Sequence, residues 1–411
     1  MKICIDISQS VYPRGVGRYT RELVSHLLKI NPSASPSTSS SSSNLSDLGI
    51  EDLSLGVEDL SSGPKGSEQV KNQYVLFGSS LRQQKTLKDF FNSISDISTS
   101  SDISSQKLRI KPQAISKFYP IPPTILEFLF NRFHLSIDAF VGKVDIFHSS
   151  DWTQPKSSAK KVTTIHDMIV YKFPQLFDSK TISVQKRRLA WVKKEVDKII
   201  AVSDSTKKDI IEILQIPEEK IEVIYEAAAP IFYKRGEDEI EIAKKKFGIK
   251  KDYILTVNTR SSQKLAKLLE AFSVVRKDLD ITLVVVGEKI QSYQDIINIG
   301  FVLDEDLARL YSGVSVFVFP SFYEGFGLPV LEAMACGAPV VCSNTSSLPE
   351  IAGKAAVYVN PNSKESIVEG VKKVLMDKKF AQELSKQSVN QASQFSWEKT
   401  ARETLRVYEE V

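Results

Sequence analysis

Residues 317–337 read Phe317-Val318-Phe319-Pro320-Ser321-Phe322-Tyr323-Glu324-Gly325-Phe326-Gly327-Leu328-Pro329-Val330-Leu331-Glu332-Ala333-Met334-Ala335-Cys336-Gly337. A β-branched and aromatic run of strand length ends at Pro320, a glycine-bearing loop follows, and Pro329 is well placed to open a helix running to Gly337. Loop amides and a helix N-terminus then converge beyond the carboxyl end of a buried strand. That is where open α/β sheets bind ligands and where phosphate is favoured. Glu324 on the loop and Glu332, expected in the first helical turn, flank this point and can face one crevice. Both acids also have a plainer reading, Glu332 as a complement to the helix dipole and Glu324 as a surface loop residue.

Outward from this stretch the apolar runs recur as short strands separated by helix-like segments, the pattern of parallel sheets covered on both faces. Strands are expected at 2–8, 73–78, 107–110, 144–148, 162–165, 198–202 and 221–225, then at 253–257, 281–286, 296–301, 314–319, 339–342 and 355–359. Between the two sets Ala227-Ala228-Ala229-Pro230 leads into a charged run, a composition shift that reads as a domain linker and a solvated helix. The expected division is therefore 1–228 and 229–395, with 396–411 as a terminal helix capped by Ser396. Residues 33–72, serine-rich at first and without periodicity, bury too little apolar surface to offset their ordering entropy and read as a disordered insert. Residues 93–105 read as a second loose connection.

The composition is that of a globular protein: 411 residues, 42% hydrophobic, 25% charged and mean hydropathy -0.14. A formal charge of +4, from 54 basic and 50 acidic residues, is too small to argue for nucleic acid. Cys4, Cys336 and Cys342 lie in apolar surroundings without metal-ligand spacing, so neither a disulfide scaffold nor a zinc site is indicated and a reducing cytoplasm is expected. Asp6 interrupts the start before any signal-peptide core can form, and the longest apolar runs fall far short of the ~20 residues needed to span a bilayer.

Two further places carry chemistry. Gly15-Val16-Gly17-Arg18 follows the first strand, but Thr20 stands where a third glycine would complete a dinucleotide fingerprint, so a tight turn and a ligand contact are both open. His166 stands at the carboxyl end of another expected strand, as a structural histidine or a site residue.

The run from Glu324 to Gly337 resembles, nearly residue for residue, the E-x7-E motif of glycosyltransferase family 4. These are retaining enzymes of GT-B architecture, with two Rossmann-like, doubly wound α/β domains facing a central cleft. Gly15-Val16-Gly17-Arg18-Tyr19, Thr164-Ile165-His166-Asp167 with Phe173-Pro174, Ala201-Val202-Ser203 and the Phe395-Ser396-Trp397 helix are similar to other family segments. The resemblance covers everything except the serine-rich insert. It implies a nucleotide-sugar donor held by the second domain through Gly325, Phe326, Gly327, Leu328 and Glu332, with Glu332 on the ribose and Glu324 near the sugar ring. It makes His166 a contact to that sugar and aims the loop of Gly15, Val16, Gly17 and Arg18 at the donor phosphate and the acceptor. The last helix would return to brace the first domain.

One site departs from the family. An Arg-Lys pair usually follows the first strand of the second domain, because fixed cations stabilise the charge on a leaving diphosphate. Here Gln263 stands where the arginine is expected, Lys264 is retained, the loop is about one residue short, and Asn258 replaces the usual glycine. Arg260 is the candidate replacement guanidinium, with Lys264 as the catalytic cation.

The resemblance implies a hexosyltransferase needing no metal and no cofactor, acting on a glycan or lipid-linked glycan. The His-Asp and Phe-Pro pair with Tyr225-Glu226-Ala227 is similar to members that transfer mannose, favouring GDP-mannose over a UDP-sugar. A degenerate member that binds without turnover, and a nucleotide-sugar epimerase on the same fold, are the alternatives. The basic helix expected over 180–194 and the aromatic stretch 118–135 read as a solvated face and as core, with peripheral membrane contact as the second reading of each.

Overall fold

The computed structural model describes residues 1–13, 15–30, 72–95, 114–258, 262–287 and 294–411, without the side chains of 258 and 262–264. The serine-rich insert up to residue 71, the expected strand at 107–110 and most of the loose connection at 93–105 lie outside the described residues, as does Arg260.

The first domain is a parallel sheet of β1 (Lys2–Asp6), β2 (Gln73–Ser79), β3 (Ala114–Tyr119), β4 (Ile146–Ser149), β5 (Lys160–Ile165), β6 (Lys198–Ala201) and β7 (Ile221–Val223). Its order is β3-β2-β1-β4-β5-β6-β7. The second holds β8 (Tyr253–Asn258), β9 (Thr282–Gly287), β10 (Ile296–Gly300), β11 (Val316–Phe319), β12 (Val340–Ser343) and β13 (Val357–Val359). Its order, β10-β9-β8-β11-β12-β13, is again parallel throughout. Each sheet reverses direction of growth once, at β1/β4 and at β8/β11, and such switch points open a crevice at the strands' carboxyl ends.

Burial on both faces explains why these strands are so apolar. Leu255, Val284, Val286, Phe317 and Phe319 enter one core cluster, while their neighbours Ile254, Leu283, Val285, Val316 and Val318 enter another across the sheet. This is the two-residue period of a strand with helices packed on either side.

Two expectations are corrected, and one strand was not expected: Ala114–Tyr119, an edge strand whose burial alternates with exposure. The aromatic stretch is only half core: Leu126 and Phe130 are buried, whereas Phe128 and Phe133 are 51% and 61% exposed. The basic helix, Ser179–Glu195, is more than a solvated face, because Arg188 lies on its buried stripe with Val184 and Val192 and is 1% exposed.

The terminal helix Trp397–Glu410 is capped by the Ser396 side chain and lies along the helix Val16–Ile30. Trp397, Ala401, Val407 and Tyr408 join the core around Ile3, Ile5 and Tyr19. The linker beyond β7 is held at Tyr225, whose carbonyl accepts from Thr400 Oγ1 at 2.7 Å.

Candidate functional site

The carboxyl ends of the two sheets face each other, so the loops after β1, β5 and β11 meet. After β11 the chain turns through 320–327 into the helix Leu328–Ala335 with Pro329 in its first turn. Ser321 Oγ donates to Glu324 Oε1 at 2.6 Å, and the Glu324 amide donates to Ser346 Oγ at 2.9 Å. Ser347 Oγ donates to the carbonyls of Glu324 and Phe326, so the loop after β12 holds the E-x7-E loop in shape. Glu332 is the fifth residue of this helix, in its second turn rather than its first, and it is 4% exposed.

On the facing domain, Arg21 donates to the carbonyls of Ser10, Tyr12 and Pro13 and shapes the loop after β1. Gly15 and Val16 open the helix that follows. Gly17 is required where it stands, because a Cβ would overlap the carbonyl oxygens of Gln9 and Tyr12. Arg18 crosses the cleft. Its Nη1 pairs with Glu332 Oε1, its Nη2 sits 2.6 Å from Asp304 Oδ2, and its guanidinium lies 5.0 Å from the Phe232 ring centre. Burial alone would lower its pKa, but the charges of Glu332 and Asp304 outweigh that and raise it.

His166 follows β5 directly. Its Nδ1 is 2.8 Å from Glu226 Oε1, and the Tyr19 ring meets it edge-on at 4.6 Å. Behind it runs a buried chain: Tyr19 hydroxyl to Thr164 Oγ1 at 2.9 Å, Thr164 Oγ1 to His148 Nε2 at 3.0 Å, and His148 Nδ1 to the Tyr408 hydroxyl at 2.5 Å. Burial disfavours a charged His166, yet the hydrogen bond and charge of Glu226, with Asp151 and Asp167, raise its pKa overall. His148, without a carboxylate partner, is pushed down to about 3 by burial and by the charges of His166 and Arg188. Although part of Asp167 stays open to solvent, desolvation of its carboxyl in the cleft and the nearby Asp151 push it up to about 6. Beneath these groups a cavity of about 20 Å³ is lined by Asp6, Tyr19, Ser150, Asp151 and His166 among others, room for one water.

The two walls touch at Gly325. A Cβ there would overlap the carbonyl oxygen of His166, and the Gly325 carbonyl accepts from Ser203 Oγ at 2.6 Å and Thr206 Oγ1 at 3.0 Å. The Tyr323 hydroxyl donates to Asp209 at 2.7 Å and accepts from the Met168 amide at 3.0 Å. Glu350 caps the helix Asp204–Leu214 from across the seam.

Among the described side chains the structure thus brings His166, Glu324, Gly325, Glu332 and Arg18 to one cleft. Phe326 is buried against Tyr225 and Phe395 and leaves only its backbone to a ligand. Gly327 and Leu328 start the helix beside it. The Lys264 side chain lies outside what is described, although its backbone belongs to the helix Ser262–Asp278. Sequence reasoning gave Glu226 and Tyr19 only as members of family-like segments, with no role at the site, and passed over Asp304; their partners lie 60, 145 and 286 residues away in the chain, beyond the reach of any local pattern. Among the described residues, no three His, Cys, Asp or Glu side chains converge to hold a metal ion, and no helix is long and apolar enough to cross a membrane.

Residues 237–391 match the family described as glycosyl transferases group 1, and residues 98–228 match glycosyltransferase family 4. The O-antigen chain mannosyltransferase B of Escherichia coli is 30% identical over 280 residues, covering 64% of this chain and 74% of that protein. The serotype-specific mannosyltransferase WbdA of Escherichia coli is 32% identical over 266 residues, 59% of this chain but 32% of its own length. Among solved structures, Anabaena HepE in complex with UDP and glucose aligns over 100% of both chains at TM-score 0.66 and 13% identity. WaaG, a glycosyltransferase involved in lipopolysaccharide biosynthesis, aligns over 99% of both at TM-score 0.63 and 12% identity. These structural likenesses show the fold: two Rossmann-like domains in the GT-B arrangement. With its family matches, its mannosyltransferase relatives and its paired parallel sheets, the chain belongs to glycosyltransferase family 4 and is a hexosyltransferase.

Proposed function

We propose that the cleft transfers mannose from GDP-mannose to a glycan or lipid-linked glycan, with retention of anomeric configuration and without a metal ion. The observation that carries this reading is the meeting of the two walls, His166 and the helix start at Gly15–Arg18 on one side and the Glu324–Glu332 segment on the other. The mannosyltransferase names of the relatives support mannose as the sugar. In this reading Glu332 holds the ribose diol, Glu324 faces the sugar ring, and loop amides with Lys264, Arg260 and Arg18 meet the diphosphate. The bond from the anomeric carbon to the phosphate oxygen breaks, the bond to the acceptor oxygen forms on the same face, and the acceptor's proton passes to the departing phosphate. Binding without turnover is not favoured, because the relatives are transferases.

The acceptor side carries a surface suited to a lipid-linked substrate at a cytoplasmic membrane face. Ile125, Phe128, Phe133 and Leu135 are 44–61% exposed, and Arg187 joins this patch through its 3.0 Å pair with Glu127. Anionic vesicles should therefore retain the protein and lose it on Phe128→Ser with Phe133→Ser.

Incubation with GDP-mannose, using water as surrogate acceptor, tests the reaction. Proton NMR should show GDP release with α-mannose as the first-formed anomer. Release of the β-anomer would contradict retention, and release only from UDP-sugars would move the donor assignment.

A further inference from the structure

Glu226 is a buried acid with a single visible task. It stands on the linker after β7, is 3% exposed, and its Oε1 lies 2.8 Å from His166 Nδ1. The linker is pinned there by the Thr400 bond to the Tyr225 carbonyl and by Ala227 in the core. A carboxylate only accepts, so Nδ1 carries a proton and the ring is fixed in one orientation. Tyr19 closes one side of the ring, and the Gly325 backbone abuts the His166 carbonyl. Among the described residues no protein atom bonds His166 Nε2, which is thus the nitrogen left for a ligand.

We propose that Glu226 is the positioning residue of His166: it holds the Nδ1 proton so that Nε2–H, on a charged ring, donates to a hydroxyl of the transferred sugar. This rests on the nucleotide-sugar reading of the cleft. The groups facing His166 are Glu226 from the linker, Asp151 from the loop after β4, Asp167 beside it, Tyr19 from the first helix, and His148 beneath. Glu226 alone among the acids is in hydrogen-bond contact with the ring. A charge-assisted bond of this kind is about twice as strong as a neutral one, and Glu226→Gln keeps its shape while removing its charge.

The chain has four histidines, so imidazole nitrogen-15 spectra can be assigned by loss of one set of signals in His166→Asn. In the wild type His166 should remain doubly protonated to higher pH than free histidine. In Glu226→Gln its midpoint should fall by about one pH unit or more, with Glu226→Asp intermediate. Melting curves identify any variant that fails to fold, and the aspartate variant then carries the comparison. By calorimetry, GDP should bind wild type and Glu226→Gln alike, while the gain in affinity of GDP-mannose over GDP should drop about tenfold. An unchanged His166 titration in both variants overturns the proposal, as does a changed titration with the GDP-mannose gain intact. If wild type binds no nucleotide-sugar, the reading of the cleft fails instead, and the titration still decides whether Glu226 sets the protonation of His166.

Discussion

At Gly325 the two domains approach so closely that one methyl group decides whether they meet. Its carbonyl is held by Ser203 and Thr206, and any Cβ would overlap the His166 carbonyl oxygen. Gly325→Ala should leave each domain folded, since the residue lies at the seam and not in a sheet, yet lower transfer by about 100-fold through misplacement of the donor loop. Unchanged circular dichroism with a lost rate is the expected pair of readings; full activity would show that the seam opens during turnover. Glu332 makes a second residue-scale test. Glu332→Ala removes a buried acid and its partnership with Arg18, and should abolish stabilisation by nucleotide without abolishing the fold. At this scale the sequence was most legible where the E-x7-E run carried its own signature. It was least legible at Glu226 and Asp304, ordinary acids in their local context that acquire a role only when folding sets them beside His166 and Arg18.

The terminal helix acts on the site from behind. Tyr408 on this helix bonds His148, which bonds Thr164, which bonds Tyr19, whose ring meets His166. Tyr408→Phe leaves the buried His148 Nδ1 unpaired and should cost about 1 to 2 kcal/mol in denaturant unfolding. His148 also sets a pH dependence. It titrates near 6.5 when unfolded and about 3 when folded, so between those values the unfolded chain holds a proton that the native protein lacks. Stability contributed at this site therefore falls as pH falls through that window. Stability measured from pH 7 to pH 4 should decline less steeply in His148→Gln than in wild type, and equal slopes would exclude His148 as the source. Elements buried on both faces were readable as apolar runs, which is why all strands of the second sheet fall where expected. The edge strand Ala114–Tyr119 was not, because its Lys117 and alternating exposure look like a loop. Arg188 was misread for a related reason: in a run of basic residues nothing local distinguishes the one that folding turns inward to Asp151 at 3.2 Å.

Over the whole molecule, closure depends on a few polar ties across a cleft between two well-packed halves. The buried ion pair among them is Arg18 with Glu332, flanked by the more open Asp304, and removing one partner of a buried pair costs about 3 to 5 kcal/mol. Arg18→Ala should therefore relax the domains apart, read as a larger radius of gyration in solution scattering of the ligand-free protein. No change would mean that the Gly325, Tyr323–Asp209 and Glu350 contacts hold the cleft shut without it. The two-domain plan was legible from the linker composition and the two sets of strands. The closed arrangement was not, since it depends on pairs as distant as Arg18 and Glu332.

The most direct test of the central claim, that this cleft takes a nucleotide-sugar with Glu332 on its ribose, is a thermal-shift titration with GDP, UDP, ADP and their sugar conjugates. A ligand bound only to the native state at 100 times its Kd adds about 2.7 kcal/mol of stability. The predicted result is a saturable rise in Tm that is largest with GDP-mannose and absent in Glu332→Ala. A flat response to every nucleotide at millimolar concentration, or a GDP-mannose shift that persists unchanged in Glu332→Ala, would contradict it.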